Sequence, residues 1–255
     1  GRPALCGPAG DDGSIAVMAE VLRREGVDAG RLVPMPGIVT PLSAVMIDAS
    51  GERTIVTFRD PELWRVVLPG PDELLAGVAA VLVESRCAPF AAALGAEALR
   101  RGIAVVVDGD TAMAQHDPLL SAATHLVFSR EALHATAGVA DDGEALRRIA
   151  ASTPAFVAVT TGAEGVVWLE DGVVKRMPAF HVEAVDTLGA GDVFHGAFTL
   201  AVAEGQALVS ALRFAAAAAA LKCGRFGGAF GAPQRHDVEA FLLSHPDPAG
   251  DRGLY

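Results

Sequence analysis

The sequence predicts a three-layer α/β/α fold in which helices cover both faces of a doubly wound, mostly parallel sheet. Short continuous apolar runs, such as residues 78–83 and 103–107, are typical of strands buried on both faces. A segment with helical spacing, residues 88–102, separates these two runs, and such alternation implies parallel strands joined by right-handed crossovers. Hydrophobic residues make up 51% of the chain and charged residues 20%, which indicates a globular protein with a large core.

The first elements are a strand and an amphipathic helix. The chain begins at Gly1 inside a predicted strand, so we expect that N-terminal elements of the fold are missing from this sequence. The helix is predicted over residues 12–26, with Asp12 as its N-cap and Gly26 as its end, because apolar residues recur between them at helical spacing.

A hairpin precedes the regular alternation. Residues 38–48 and 53–58 are predicted strands, and the turn Ala49-Ser50-Gly51-Glu52 joins them. We expect a single domain over residues 1–255, in which residues 37–60 form part of a small β-hairpin lid.

The rest of the chain continues the α/β pattern. An alanine run at residues 215–220 belongs to a predicted helix, because alanine is the best helix former and lets helices pack closely. The further predicted strands are 126–128, 155–160, 165–169 and 173–177, and the further predicted helices are 143–151, 192–204, 210–223 and 236–244.

Charge and cysteine content exclude several classes of protein. The net charge of -11 argues against a nucleic-acid-binding surface, which needs a basic stripe. Cys6, Cys87 and Cys223 show no close spacing, so neither a disulfide framework nor a thiolate metal site is expected. Cysteines without a disulfide pattern favour a reducing compartment, and we expect a cytoplasmic protein. The apolar runs are too short to span a membrane, so no membrane partner is expected.

The segment with the clearest chemistry is Asp186-Thr187-Leu188-Gly189-Ala190-Gly191-Asp192. It follows a short extended stretch, 182–185, and leads into a predicted helix, so it lies where open parallel sheets bind ligands. Gly189 and Gly191 allow positive φ and close approach of a phosphate, and the free N–H groups of the helix start would face that anion. The helix dipole adds up to about 2 kcal/mol in favourable geometry. The sequence therefore predicts an anion site made of peptide groups.

A carboxylate beside a phosphate site calls for an explanation. Asp192 either complements the positive helix N-terminus or acts as a general base that accepts a proton from an attacking hydroxyl. The strand–turn–helix setting after Asp186-Thr187 favours the base. His195 is one helical turn further, and we interpret it as a hydrogen-bonded histidine in the cleft wall rather than as an acid or base.

This segment resembles the C-terminal signature of the ribokinase (PfkB) family of sugar kinases. The resemblance covers nearly the whole chain, including Thr160-Thr161-Gly162-Ala163-Glu164-Gly165, residues 7–28 and the 50–54 hairpin. It implies a ribokinase-like fold and transfer of the ATP γ-phosphate to a sugar hydroxyl. Asp192 would deprotonate that hydroxyl and also contact the sugar, while Gly189, Ala190 and Gly191 hold the transferring group. Mg²⁺ would accompany ATP, and a monovalent cation is left open as a further cofactor.

A narrower resemblance involves three short segments. Residues 127–131, 84–86 and 221–224 are similar to ketohexokinase and to the bacterial sulfofructose-kinase-like branch. By that resemblance Arg86 lies near the sugar and could bind hydroxyls or an anionic substituent. The implied nucleotide contacts are Thr160, Gly162, Ser129, Gly189, Gly191 and Cys223, the last in the adenine pocket. A surface arginine, ordinary strand ends and a small buried cysteine are the alternatives.

The chain departs from the family pattern at two places. Ser129-Arg130-Glu131-Ala132 stands where ribokinases carry Asn-x-x-Glu, so the metal-organising residue is unassigned, with Glu131 as a substitute to consider. The family's Gly-Gly…Asn sugar-binding segment would precede Gly1. The identity of the sugar therefore stays open at this stage.

Several functions are compatible with this sequence. The first is an ATP-dependent kinase for a ketohexose or an acidic ketohexose derivative, assembled as a homodimer through the β lid. Nucleosides and 2-keto-3-deoxy sugar acids are alternative substrates, and a non-catalytic sugar or nucleotide sensor is an alternative class. A dinucleotide-dependent oxidoreductase would need Gly-x-Gly-x-x-Gly after an early strand, which Cys6-Gly7-Pro8-Ala9-Gly10 does not supply.

Overall fold

The computed structural model describes residues 1–47 and 53–246. The chain divides into two compact units, Gly1–Ala76 and Gly77–Tyr255. In the described part of the chain, no helix is both long enough and apolar enough to cross a bilayer.

The first unit contains two small sheets. Strand β1 (Ala4–Gly10) pairs in parallel with β2 (Asp28–Met35), and helix α1 (Ser14–Arg24) connects them. The N-cap of α1 is Gly13, so the predicted cap Asp12 is one residue too early. Asp12 instead accepts hydrogen bonds from the backbone N–H of Ser14 (2.9 Å) and from Thr40 N–H (2.8 Å).

The predicted hairpin forms in this unit. Strands β3 (Leu42–Ile47) and β4 (Arg53–Phe58) pair antiparallel, while the predicted turn 49–52 lies outside the described residues. A short helix, α2 (Pro71–Leu74), ends the unit. Strand β2 was missed in the sequence because glycine and proline interrupt its apolar pattern.

The second unit has a six-stranded sheet in the order β10-β9-β8-β7-β6-β5. Neighbours from β5 to β8 are parallel, and β9 and β10 add an antiparallel hairpin at one edge. The strands are β5 (Ala80–Glu84), β6 (Ala104–Gly109), β7 (His125–Ser129), β8 (Phe156–Thr160), β9 (Val166–Glu170) and β10 (Val173–Met177). The helices are α3 (Ala88–Arg100), α4 (Pro118–Ala122), α5 (Arg130–Ala137), α6 (Asp142–Ala150), α7 (Ala190–Ala203), α8 (Leu208–Cys223) and α9 (Arg235–Ser244).

Strand residues alternate between two apolar layers, as expected for a doubly wound sheet. Val106, Val127 and Ala158 pack with residues of α7, α8 and α9 in one buried cluster. On the opposite face, the space beside Gly95 of α3 is bounded by the Val105 and Leu119 side chains. The predicted three-layer arrangement is confirmed for this unit.

Some local features differ from what the sequence pattern indicated. The extended stretch 182–185 joins no sheet among the described residues, and Val185 instead donates its N–H to the carbonyl oxygen of Cys223 (2.8 Å). The helices α4 and α5 were missed because they are only 5 and 8 residues long, too short for a clear helical period.

Candidate active site

The carboxyl ends of four parallel strands lie side by side and carry polar residues. The register pairs Glu84 at the end of β5 with Asp108 in β6, and Ser129 at the end of β7 with Thr160 at the end of β8. In an open α/β sheet this edge is where ligands bind. Sequence predictions for residues far apart in the chain thus converge on one edge.

The turn before α7 has the conformation required of a helix start at an anion site. Gly189 is the N-cap with φ 79°, a left-handed conformation that favours glycine. Its carbonyl oxygen accepts the N–H of Val193 (3.0 Å). Of the two glycines that the sequence allows to have positive φ, only Gly189 does; Gly191 does not. A Cβ at Gly191 would meet nothing within 4 Å, which leaves open space in front of the turn.

The N–H groups of the first helical turn have no intrahelical acceptor, as in any α-helix. That of Ala190 donates to the carbonyl oxygen of Thr187 (3.2 Å), so it is less free than the sequence predicted. The N–H groups of Gly191 and Asp192 have no acceptor within the ranges 1–47 and 53–246. These two groups are the ones available to an anion.

Asp192 lies in the first turn of α7 with its side chain exposed. Its Oδ2 is 3.6 Å from the position that a Cβ on Gly189 would occupy, so the carboxylate lies over the turn. The structure therefore brings together the carboxylate and the peptide groups that the sequence predicted to act together.

Asp186 fixes the turn from its other end. Its carboxylate accepts the N–H groups of Leu188 (2.9 Å), Gly227 (3.1 Å) and Gly228 (2.9 Å) and contacts the ammonium of Lys222 (3.1 Å). The backbone bonds from Gly228 and Leu188, followed by the Lys222 contact, hold the pKa of Asp186 well below its usual range.

Lys222 was missed by sequence reasoning. It is 0% exposed, at the end of α8, and its Nζ also donates to the backbone carbonyl of Asp186 (2.6 Å). A buried ammonium needs a partner charge. The only signal in the sequence was a lone lysine at the end of an alanine-rich apolar helix.

Arg86 lies at the sheet edge but already has partners. Its guanidinium donates to the carboxylate of Glu84 and, at 3.0 Å, to that of Asp110. The predicted sugar-binding arginine is therefore placed near the site, within a set of acidic side chains.

Asp108 is the most perturbed carboxyl group at this edge. The pKa of Asp108 is raised to about 6, chiefly by burial. His195 opposes this rise, whereas the nearby carboxylates of Asp110, Asp192 and Glu84 contribute to it. Its Oδ2 lies 3.3 Å from Nδ1 of His195. In the sequence, Asp108 could be identified only as the end of a strand, because its histidine partner lies on a distant helix.

His195 is a buried, hydrogen-bonded histidine, as predicted from the sequence. It is 3% exposed, its Nδ1 lies 2.8 Å from the carbonyl oxygen of Gly191, and its Nε2 lies 3.1 Å from that of Val127. It thereby connects the start of α7 to strand β7.

The predicted nucleotide residues fall into two groups. Ser129 caps α5 by accepting the N–H of Ala132 (3.3 Å), and Thr160 donates its hydroxyl to the carbonyl of Phe128 (3.3 Å). Gly162 follows Thr160 with φ 61°. Cys223 is instead next to Asp186, whose N–H donates to its carbonyl (3.1 Å).

The site offers no ready-made cage for a metal ion. Across the two described ranges, no group of three or more His, Cys, Asp or Glu side chains is arranged to hold one. The fit is to a metal that arrives with phosphate ligands of its own, because Mg²⁺ uses few protein ligands at such sites.

Comparison with known proteins agrees with this geometry. A family model described as pfkB family carbohydrate kinase matches residues 1–235. The ribokinase of Haemophilus influenzae is 26% identical over 241 residues, which is 91% of this chain and 79% of that protein. The ribokinase of Bacillus subtilis is 45% identical over 89 residues, so the chain spans only 30% of that relative's length in the match.

Solved structures give the same fold. A candidate ribokinase from Agrobacterium tumefaciens superimposes with a TM-score of 0.91 at 38% identity, covering 96% of this chain and 81% of that one. The Arabidopsis thaliana ribokinase complexed with ribose and ATP has a TM-score of 0.80 at 24% identity. The superposition covers 94% of this chain and 82% of the Arabidopsis chain. The fold is therefore ribokinase-like, and the chain belongs to the PfkB family of carbohydrate kinases.

Proposed function

We propose that this chain transfers the γ-phosphate of ATP to a hydroxyl of a sugar, a ketohexose or an acidic ketohexose derivative. The observation that carries the proposal is the exposed carboxylate of Asp192 beside the unpaired N–H groups of Gly191 and Asp192, at the carboxyl edge of the sheet. A phosphoryl acceptor needs a base and a transferring phosphoryl group needs donors, and one turn supplies both.

In this mechanism Asp192 accepts the proton of the attacking hydroxyl as its oxygen bonds to the γ-phosphorus, and the bond from that phosphorus to the β,γ-bridging oxygen breaks to release ADP. Gly189, Ala190 and Gly191 shape the turn so that peptide N–H groups contact the transferring phosphoryl oxygens. The Asp186–Lys222 pair holds that turn against the Gly227–Gly228 segment. Mg²⁺ bound with ATP would neutralise charge on the phosphate oxygens.

The nucleotide is proposed to bind along the ends of β7 and β8. Ser129 and Thr160 are paired there, and Gly162 follows Thr160. Gly189, Gly191 and Cys223 are the other nucleotide contacts that we propose. Related structures support this cofactor choice, since the Arabidopsis ribokinase holds ATP and an E. coli ribokinase II candidate holds ATP and Mg²⁺. Whether turnover depends on a monovalent cation is tested separately, by comparing K⁺ and Na⁺ buffers.

The contacts of Arg86 bear on the class of sugar. Glu84 and Asp110 already neutralise its charge, and Asp108 and Asp192 add further negative charge nearby. A neutral ketohexose can hydrogen bond with such a set, whereas a sulfonated or carboxylated sugar would be repelled unless Arg86 changed partners. The geometry thus favours the neutral ketohexose, and Arabidopsis and maize fructokinases are among the relatives.

We also propose that residues 1–255 act as one kinase domain of a cytoplasmic homodimer paired through the lid hairpin. One face of that hairpin carries four apolar side chains that are each more than half exposed: Leu42, Met46, Val56 and Phe58. Four exposed apolar side chains on one face of a two-stranded ribbon favour burial against a second copy.

A sensor without turnover is the second candidate. It would keep the sugar and nucleotide sites but have no need of a general base. The retained carboxylate of Asp192 in an open position therefore argues for the kinase.

The deciding experiment measures ADP release from MgATP with fructose, sulfofructose, ribose, 2-keto-3-deoxygluconate or adenosine, each in K⁺ and in Na⁺ buffers. Asp192→Asn is compared with the wild type, and Asp171→Asn, an exposed turn residue of the β9–β10 hairpin, is the matched control. We expect turnover with fructose and a fall of about 10²–10⁴ in kcat for Asp192→Asn.

Three other results would change the assignment. Turnover that survives in Asp192→Asn means that another group is the base. Turnover with only one of the other substrates would assign that compound, rather than a ketohexose, as the phosphoryl acceptor. Tight binding of ATP and sugar without any turnover establishes the sensor.

A further inference from the structure

We infer that His195 carries a proton on both ring nitrogens, and that this buried imidazolium strengthens and positions the anion-binding turn at the start of α7. The catalytic half of the inference rests on the proposed kinase function. The charge of the ring is a separate matter and can be measured by itself.

Both ring nitrogens of His195 face hydrogen-bond acceptors. Nδ1 lies 2.8 Å from the carbonyl oxygen of Gly191, and Nε2 lies 3.1 Å from the carbonyl oxygen of Val127. A carbonyl oxygen can only accept. Either neutral tautomer would leave one nitrogen lone pair against an oxygen lone pair in a buried place, where an unmade hydrogen bond is costly. Two donors are required, and only the imidazolium has them.

The surroundings supply the opposite charge. Oδ2 of Asp108, on the strand next to β7, is 3.3 Å from Nδ1, and the Asp108 side chain is itself 13% exposed. On α7 the nearest charged group in sequence is Asp192, and beyond Asp108 lie the carboxylates of Asp110 and Glu84. The groups from β7 are a neutral carbonyl and the strand backbone. These four side chains are acidic, and the one cation among them is Arg86, which pairs with Glu84 and Asp110. The surroundings therefore favour a cation at His195.

The acceptor of Nδ1 connects the charge to the proposed reaction. The carbonyl of Gly191 and the N–H of Asp192 belong to the same peptide unit. A cationic donor on the carbonyl polarises that unit and makes its N–H a stronger donor toward an anion. The N–H of Asp192 is one of the two groups free to contact a phosphoryl oxygen. His195 acts through this peptide and is a positioning residue rather than a catalytic one.

The charge is tested by NMR of the full chain labelled with ¹⁵N-histidine, with long-range ¹H–¹⁵N spectra recorded from pH 6 to 9. The His195 signals are identified by their loss in His195→Gln. We expect the spectra to show two protonated ring nitrogens, because each faces a carbonyl oxygen. His125 is the internal reference, because burial lowers its pKa. A neutral tautomer of His195 at pH 7 would overturn the inference, whether or not the protein is a kinase.

The role of the counterion is tested with Asp108→Asn, which preserves shape and removes the negative charge. The doubly protonated form of His195 should then disappear at a lower pH than in the wild type. An unchanged titration would show that Asp108 does not stabilise the cation.

The positioning role is tested by comparing His195→Gln with Thr199→Val, a matched control one turn further along α7, whose hydroxyl bonds the His195 carbonyl (2.7 Å). For a lost charged hydrogen bond we expect His195→Gln to lower kcat about ten- to a hundredfold, with the KM for sugar changed less than about threefold. Thr199→Val should retain at least about half of the wild-type kcat, because the Thr199 hydroxyl contacts the backbone of His195 and not its ring.

Nucleotide binding gives a readout without turnover. His195→Gln should weaken AMP-PNP, which has a γ-phosphoryl group, about tenfold more than it weakens ADP. Equal weakening of both, with a normal melting temperature, would contradict the proposed link to the anion-binding turn. An absence of turnover in the wild type would count against the kinase proposal alone, and the NMR and binding results would still decide this one.

Discussion

Gly189 and Gly191 flank the same alanine, but the backbone conformation requires glycine only at the first. Gly189 has φ 79°, so a side chain there is strained. Gly191 has no positive φ, and a Cβ added there would have no heavy atom within 4 Å. Its lack of a side chain matters only if something binds in front of it.

Two alanine substitutions separate these reasons. Gly189→Ala should destabilise the protein by about 1–2 kcal/mol, because a non-glycine residue must adopt the left-handed conformation. Gly191→Ala should leave the melting temperature unchanged but lower kcat/KM for MgATP about ten- to a hundredfold, because Cβ obstructs the donors. Thermal melting and steady-state kinetics measure both effects. A Gly191→Ala variant with normal kinetics would exclude this turn as the phosphate site.

Asp186 makes the stability of the protein depend on pH. Its pKa is lowered in the folded state, chiefly by the N–H donors of Gly228 and Leu188, relative to 3.8 for an ordinary aspartate. The stabilisation is therefore complete above the unfolded-state pKa and is lost as pH falls through the lower, folded-state value.

The corresponding prediction concerns the acid limb of the stability curve. From pH 5 to pH 2 the free energy of unfolding of the wild type should fall more steeply than that of Asp186→Asn, measured by urea titration. Asp171→Asn, which removes one carboxylate from an exposed turn, serves as the control. Parallel slopes in wild type and Asp186→Asn would show that Asp186 is not held ionised by the fold.

At the scale of elements, helix α8 depends on its small side chains. Ala215 and Ala217 are fully buried in the cluster that α8 forms with α7 and the sheet. The sequence prediction that the alanine run is a helix packed closely against others is confirmed.

Overpacking this helix should be costly. Ala217→Leu inserts three carbon atoms where no space remains and should destabilise the second unit by about 1–3 kcal/mol. Ala219→Leu, at a partly buried position of the same helix, is the control and should cost less. Chemical denaturation measures both, and equal effects would mean that α8 packs loosely.

At the scale of the whole molecule, the hairpin of β3 and β4, which we propose as a lid, exposes large apolar side chains. Its exposed face carries Leu42, Met46, Val56 and Phe58, whereas the water-facing side of an antiparallel ribbon is usually mostly polar. A second copy of the chain would bury it.

Val56→Asp should therefore shift the protein toward monomer, measured by sedimentation velocity across a hundredfold concentration range. Thr57→Asp places the same charge on the opposite face of the hairpin and should leave the association unchanged. A wild-type protein that stays monomeric throughout that range would contradict the dimer proposal.

Features that depend on local pattern could be predicted from the amino-acid sequence alone. The apolar runs defined the buried strands, and the Gly-Ala-Gly-Asp turn at a helix start indicated the anion site and its carboxylate. Local pattern could also place Thr160 and Ser129 at strand ends, because strand ends follow from where apolar runs stop.

Only the tertiary structure shows which residues from distant parts of the sequence contact each other. Lys222 reaches Asp186 across 36 positions, His195 reaches Val127 across 68, and Arg86 pairs with Asp110 rather than standing free. Periodicity reports which face of an element is buried, but it carries no information on partners contributed by other elements. The charges that surround the site arise from such pairings, and these were fixed only when the sheet order brought the strand ends together.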